Sequence, residues 1–280
     1  MNDAHPLNAE TSALLQQAQS LIVEERFSEA APLAAQALAA EPANPECIGA
    51  MAQAMMPGAG YKQVLRRLHA QLQPQTYVEI GVSKGMSMAL AGAQTNAVGI
   101  DPAFRIEADI AARARLFPCT SDHFFERYDL FEELRSERLD LAFIDGLHLF
   151  EQALKDFVNI ERFANPATVV LIHDCFPVSE LTARRERETN FWSGDVWKIV
   201  PCLLRERPDL QVRVIPCRPC GLALVTGLDP ASSHLRDNLA AIIDQYRELP
   251  YSDIPSERDT YFSLVDNNWD AISALLPRAA

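Results

Sequence analysis

From residue 75 onward, short apolar runs recur at 76–80 (TYVEI), 96–100 (NAVGI), 114–118 (ARLFP), 139–144 (LDLAFI) and 168–173 (TVVLIH). Each is rich enough in Val, Ile or Phe to form a buried strand. Helix-length stretches separate them, and strands alternating with helical patterns predict a mostly parallel sheet wound on both faces. Two further runs, 210–215 (LQVRVI) and 221–226 (GLALVT), are divided only by a turn containing Pro and Gly. They are expected to pair as an antiparallel hairpin that ends the sheet. Residues 232–247 and 257–276 read as closing helices, the second with Phe262, Leu264, Trp269, Ile272 and Leu275 to cover the core or a partner.

Before residue 58 the pattern is different. Residues 1–60 hold seven acids and a single base, Arg26, and are rich in Ala, Gln and Leu. Leu14, Leu21, Phe27, Ala30, Ala37, Leu38 and Pro42 set large residues against small ones across two antiparallel helices joined near Glu25-Arg26. The segment resembles a single tetratricopeptide-type hairpin. One such unit cannot bury its own face, so it is expected to dock on residues 45–56 and the main domain, on a second subunit or on a protein partner. Met55-Met56-Pro57-Gly58-Ala59-Gly60 then breaks the chain. The expected division is 1–58 as a helical appendage, 59–230 as an α/β domain and 231–280 as C-terminal helices.

Charge narrows the partners. The formal net charge is −13, which repels polyphosphate and predicts no nucleic-acid binding. The first dozen residues lack the basic and apolar parts of a secretory signal, and no apolar run approaches the length of a membrane span. Six cysteines are too few for a disulfide scaffold in a chain of this length, and together these features predict a cytoplasmic protein with no membrane association. Cys217 and Cys220 have no second pair, which argues against zinc.

The first strand runs into Glu79-Ile80-Gly81-Val82-Ser83-Lys84-Gly85-Met86-Ser87, with a helix expected to begin near Gly85. In a doubly wound sheet this turn lies at the carboxyl end of a central strand, where ligands bind and glycine lets backbone approach them. The Gly-x-x-x-Gly spacing lacks the paired glycines of a dinucleotide site. Asp101 closes the second strand, where a carboxylate can accept hydrogen bonds from both hydroxyls of a ribose. Glu-x-Gly-x-x-x-Gly-x-Ser followed by that acid is similar to the S-adenosylmethionine site of class I methyltransferases, which have a Rossmann-like fold. By that resemblance Glu79, Gly81 and Ser87, in a turn that also offers Ser83 and Gly85, would contact the amino-acid end of the cofactor, and Asp101 the ribose. Ser121 and Asp122 would line the adenine, or else cap helix 122–133.

The fourth and fifth strands end in Asp145-Gly146-Leu147-His148 and His173-Asp174. Carboxylates converging from neighbouring strand tips suit a hard divalent ion such as magnesium. The blander alternative has Asp145 capping helix 148–162 and His173 filling a hydrogen-bonded core position. The whole pattern, with Phe150, Glu151 and Asp156 on the intervening helix, resembles the metal-dependent O-methyltransferases that include macrolide-sugar methyltransferases and cephalosporin-hydroxylase-like proteins. That resemblance implies magnesium on Asp145 and Asp174, with His173 as a further candidate ligand, Asp145 also beside the cofactor, and His148 as the catalytic base. His173 stands where several relatives have an acid; imidazole is a poor magnesium ligand, so His173 is equally a candidate to orient substrate. The implied reaction is methyl transfer to a hydroxyl of a sugar or other small molecule.

Residues 175–198 form a long segment at the mouth of the site, with Arg184, Arg185, Arg187, Phe191, Trp192, Asp195 and Trp197. It reads as a lid, its arginines either facing solvent or recognising an anionic group, and its Trp192 able to stack on a ring. Two other functions remain compatible with the sequence. One is a hydroxylase-like enzyme on the same scaffold, consuming oxygen at a redox metal; the other is an adaptor that works through the helical hairpin.

Overall fold

The computed structural model describes residues 7–277; residues 1–6 of the expected appendage, half of the dozen at the start of the chain, and residues 278–280 lie outside the described residues. Four helices come first: α1 (Ala9–Val23), α2 (Phe27–Ala40), α3 (Pro45–Met55) and α4 (Tyr61–Leu72). Asn8 caps α1 by accepting from Thr11 N at 2.8 Å, and Asn44 caps α3 through Glu46 N and Cys47 N. The helical pair meets near Glu25 as expected, and Ala30, Ala34 and Ala37 let α2 pack closely between its neighbours. The buried residues of α1–α3 belong to the same continuous apolar cluster as Phe157, Leu203 and Phe262 of the main domain. The hairpin therefore docks on its own chain.

Seven strands follow in the order β3-β2-β1-β4-β5-β7-β6 across one sheet. They are β1 (Thr76–Ile80), β2 (Asn96–Ile100), β3 (Arg113–Phe117), β4 (Leu141–Ile144), β5 (Val169–His173), β6 (Gln211–Ile215) and β7 (Leu222–Thr226). The first five are parallel, whereas β7 runs antiparallel to β5 and β6 antiparallel to β7. Strands β1, β4, β5 and β7 are buried along their whole length, while edge strand β3 exposes Arg113 and Arg115. This is the doubly wound, mostly parallel architecture that the apolar runs predict, with the antiparallel hairpin at one end.

Two expected helices do not form. The connection after β1 makes only a 3-10 turn, Met88–Leu90, and residues 101–112 make no helix. Ser83 (φ 49°) and Gly85 (φ 78°) are left-handed, which interrupts a helix at its start. Residues 105–108 hydrogen-bond back to that turn, with Arg105 N donating to Ser83 O at 2.8 Å and Glu107 N to Lys84 O at 3.0 Å. The exposed sheet face is covered instead by α4, which buries Val64, Leu65 and Leu68 against Tyr77, Phe143 and Leu171. No element is assigned to that stretch from sequence.

The other face is covered by α5 (Ser121–Arg127), α6 (Leu130–Leu134), α7 (Phe150–Glu161) and α8 (Ile199–Glu206). The C-terminal stretches predicted as two helices break into α9 (His234–Asp237), α10 (Leu239–Arg247), α11 (Arg258–Tyr261) and α12 (Trp269–Ser273). Between α11 and α12 the backbone pairs with edge strand β6: Val214 N donates to Ser263 O at 3.1 Å and Val265 N to Val214 O at 3.0 Å. Phe262 and Ile272 are fully buried in this chain's own core. Asn267 Nδ2 ties the linker down by donating to Pro57 O and Ala59 O, both at 2.9 Å.

Candidate active site

A cavity of about 770 Å³ opens at the carboxyl ends of β1, β2, β4 and β5. It has two ends. Gly81, Ser83, Asp101, Ser121 and Asp122 line one, and Asp145, His148, His173, Asp174, Phe191 and Trp192 line the other.

At the first end the strand tips are locked to one another. Gly81 sits at φ 91°, and a Cβ there would lie 1.9 Å from Asp145 O, so the position tolerates only glycine. The constraint comes from this chain's own backbone, not from a ligand. Asp101 accepts from Ser83 N and from Ala103 N, each at 2.7 Å, and so fixes the turn while its carboxylate faces the cavity. Three of the residues expected at the cofactor do not line the cavity. Glu79 is fully buried beneath it, accepting from Tyr77 Oη and Ser87 Oγ at 2.6 Å each. Ser87 is occupied by that bond, and Gly85 faces Ile106 and Ile110. Burial pushes the Glu79 carboxyl up to about 8, against the pull of the two hydroxyl hydrogen bonds.

Ser121 and Asp122 stand at the start of α5, where Thr120, not either of them, caps the helix by accepting from His123 N at 3.2 Å. Ser121 Oγ donates to Asp156 Oδ1 at 2.6 Å, and Gln152 Nε2 donates to Asp156 Oδ1 at 3.0 Å and to Asp122 Oδ1 at 2.9 Å. Burial raises the Asp156 carboxyl to about 6, with those Ser121 and Gln152 bonds opposing. Sequence reasoning assigned Gln152 no role. Its position four residues before Asp156 on α7, one turn apart on the same face, was the available signal.

At the second end two histidines alternate with two acids. His148 Nε2 lies 3.1 Å from Asp174 Oδ2 and 3.7 Å from Asp145 Oδ1. His173 Nδ1 lies 3.2 Å from Asp145 Oδ1 and 3.4 Å from Asp174 Oδ1. Burial alone would lower the His173 pKa, but Asp174 and Asp145 outweigh it and raise it to about 10. Burial would raise Asp174, yet His173 and His148 hold it below the usual carboxylate range. Asp174 adopts φ 60°, a conformation costly for a residue with a side chain and typical of functional sites. Tyr61, at the start of α4, covers His173 with ring centroids 4.1 Å apart, a contact that only the folded chain brings about.

The donor atoms fit a divalent cation. Asp145, His148 and Asp174 each place one ligand atom within 4.8 Å of the others, and Asp174 Oδ2 is buried with no hydrogen bond. His173, a candidate ligand by sequence, turns Nδ1 to the carboxylates and leaves Nε2 buried without a partner; His148 stands in the group instead, where Nε2 can either ligate an ion or stay free as a base. Asp145 does not cap α7: Phe150 N donates to Asp195 Oδ1 at 2.8 Å. Two of the three loop arginines are neutralised within the protein, Arg185 by Glu151 and Asp195 and Arg184 by Glu188, whereas Arg187 lies over the Trp192 ring. All six cysteines are free, and Cys220 lines the cavity.

Residues 78–175, which span both ends of the cavity, match the family model described as a methyltransferase domain. The match runs from β1 to the end of β5, includes the turn at Gly81, and makes this part of the chain similar to a methyltransferase domain. No curated protein matches the chain. Among solved structures the chain is similar to cofactor-bound Rv0187 from MTB, at 18% identity, TM-score 0.46, 68% of this chain and 91% of that one. It is also similar to the O-methyltransferase TomG of Streptomyces achromogenes, involved in tomaymycin synthesis and solved with S-adenosylmethionine, at 14% identity, TM-score 0.45, 66% of this chain and 91% of that one. A third is the Bacillus cereus O-methyltransferase solved with S-adenosylhomocysteine, at 14% identity, TM-score 0.42, 81% of this chain and 94% of that one. No helix among the described residues is long and apolar enough to cross a membrane.

Proposed function

We propose that the enzyme transfers the methyl group of S-adenosylmethionine to a hydroxyl of a sugar or other small molecule, with Asp145 and Asp174 holding a divalent ion such as magnesium and His148 acting as base. The observation that carries this reading is one continuous cavity with the Gly81–Asp101 turn at one end and the Asp145, His148 and Asp174 cluster at the other. In it Asp101 binds the ribose, Gly81 and Ser83 face the amino-acid end, and Ser121 and Asp122 face the adenine. A bound divalent ion would supply Lewis acidity to an acceptor hydroxyl whose own pKa lies far above neutrality. His148 Nε2 takes the hydroxyl proton as the oxygen attacks the methyl carbon. The new O–C bond forms as the S–C bond breaks, and S-adenosylhomocysteine leaves with the electron pair on sulfur. Asp145 and Asp174 orient the acceptor oxygen towards the methyl group, and this alignment supplies much of the remaining acceleration. His173 Nδ1 donates to Asp145 Oδ1 and holds that carboxylate in place, with Asp174 beside it.

Incubation with S-adenosylmethionine, magnesium and a panel of hydroxyl-bearing acceptors tests the reading. A methyl ether and S-adenosylhomocysteine are expected in equal amounts, with loss of both in chelator. Oxygen consumption without S-adenosylhomocysteine would instead indicate the hydroxylase-like alternative, and full activity in chelator would remove the metal from the reaction.

A further inference from the structure

The histidine in the cluster is gripped from outside it. His148 Nδ1 lies 3.0 Å from Trp192 O, and since a carbonyl only accepts, Nδ1 carries the hydrogen. The indole of Trp192 stacks on the same imidazole with centroids 5.0 Å apart and planes at 20°. Two residues on, Gly194 (φ 60°) presses against His148 so closely that a Cβ would lie 1.8 Å from His148 O. Asp174 Oδ2, the acceptor on the other side of the ring, makes no hydrogen bond although it is near. The ring is therefore oriented from its Nδ1 side.

The segment that grips it is itself tied down by charge. Asp195 Oδ1 accepts from Phe150 N at the start of α7, and Asp195 Oδ2 accepts from Arg185 Nη1 at 2.7 Å and from Lys198 Nζ at 3.1 Å. Arg185 also reaches both oxygens of Glu151 on α7, at 2.6 and 2.9 Å. Trp192 Nε1 donates to Arg184 O at 2.7 Å, and Ser193 N to Thr182 O at 3.0 Å. Asp195 and Lys198 are buried, in positions that a solvated charged loop would not use.

We propose that residues 185–195 form a clamp that holds His148 in its Nδ1–H tautomer, with the Trp192 carbonyl as the contact and Arg185 and Asp195 as positioning residues. The clamp leaves Nε2 as the basic nitrogen, directed at Asp145 and Asp174 where the acceptor hydroxyl is bound. Its consequence for turnover rests on the base role given to His148 above, whereas the tautomer is a property of the chain alone. Lys and Arg are not interchangeable at a two-pronged contact, but Arg185→Lys keeps the charge beside Asp195 and is expected to keep the clamp.

The test is long-range ¹H–¹⁵N correlation of the histidine rings in the full chain saturated with S-adenosylhomocysteine, with His148 assigned through His148→Gln. Wild type and Arg185→Lys are expected to show hydrogen on Nδ1. Gly194→Ala, which forces the segment off His148, and Arg185→Met are expected to move hydrogen to Nε2 in part or in full, with cofactor affinity unchanged. With a methyl acceptor, the same two variants are expected to lose about 10- to 100-fold in kcat at unaltered KM. Hydrogen on Nε2 in the wild type would overturn the clamp, as would a wild-type tautomer in both folded variants. An intact tautomer in a protein that transfers no methyl group would leave the clamp standing and remove the proposed reaction.

Discussion

The two ends of the cavity are built by different means. The end proposed for the cofactor is made by close contacts to backbone: Gly81 against Asp145 O, and the Asp101 carboxylate pinning Ser83 N and Ala103 N. The end proposed for the acceptor is held by side chains, in which His148 depends on Trp192 44 residues away and α7 depends on Asp195 45 residues from Phe150. An end made of strand tips is fixed once the sheet forms. An end made of long-range ion pairs can be altered without disturbing the sheet, so substitutions at the two ends are expected to fail in different ways.

The largest expected effect is at Gly81. Gly81→Val places a branched side chain where 1.9 Å separates a Cβ from Asp145 O, and a loss of about 3–5 kcal/mol of stability is expected in chemical denaturation. A variant as stable as wild type would show that the strand tips are not locked together. Next, removing either carboxylate, as Asp145→Asn or Asp174→Asn, is expected to lower turnover by about two orders of magnitude or more, with partial rescue by excess magnesium and a smaller loss of stability than Gly81→Val. Equal loss of stability at both ends would erase the contrast.

How legible each end was in the sequence follows from the same difference. Glycine spacing after an apolar run and an acid closing the next run are local signals, and they place Gly81, Ser83 and Asp101 on the cavity wall. They could not tell that Glu79 and Ser87 bond to each other beneath it, because that depends on which way the turn folds. The strands were legible because buried parallel strands are continuous apolar runs. The helix expected near Gly85 failed because left-handed residues at 83 and 85 override a local helical composition. At the other end Asp145, His148, His173 and Asp174 were visible as strand-end chemistry. Tyr61 over His173 and Asp195 at the start of α7 carried no sequence signal, since each contact joins segments far apart in the chain.

A smaller effect sharpens the account of the cofactor end. The folded pKa of Glu79 is raised from 4.5 to about 8, so the folded state holds its proton more tightly than the unfolded chain does. Its contribution is present in full below about 4.5 and is lost as pH rises through about 8. Denaturation across that window is expected to show wild type losing stability relative to Glu79→Gln by an amount on the order of a few kcal/mol. Parallel curves for the two proteins would mean that the hydroxyls of Tyr77 and Ser87 fully offset the burial.

The most direct measurement of the central claim, that cofactor binding and methyl-transfer chemistry occupy separate ends of one cavity, is calorimetric titration of S-adenosylhomocysteine into wild type, Asp101→Asn and Asp174→Asn. The account predicts that Asp101→Asn weakens binding by about 1 to 3 kcal/mol through lost charge-assisted hydrogen bonds, while Asp174→Asn binds as wild type does. Undiminished binding in Asp101→Asn, or its loss in a folded Asp174→Asn, would contradict it.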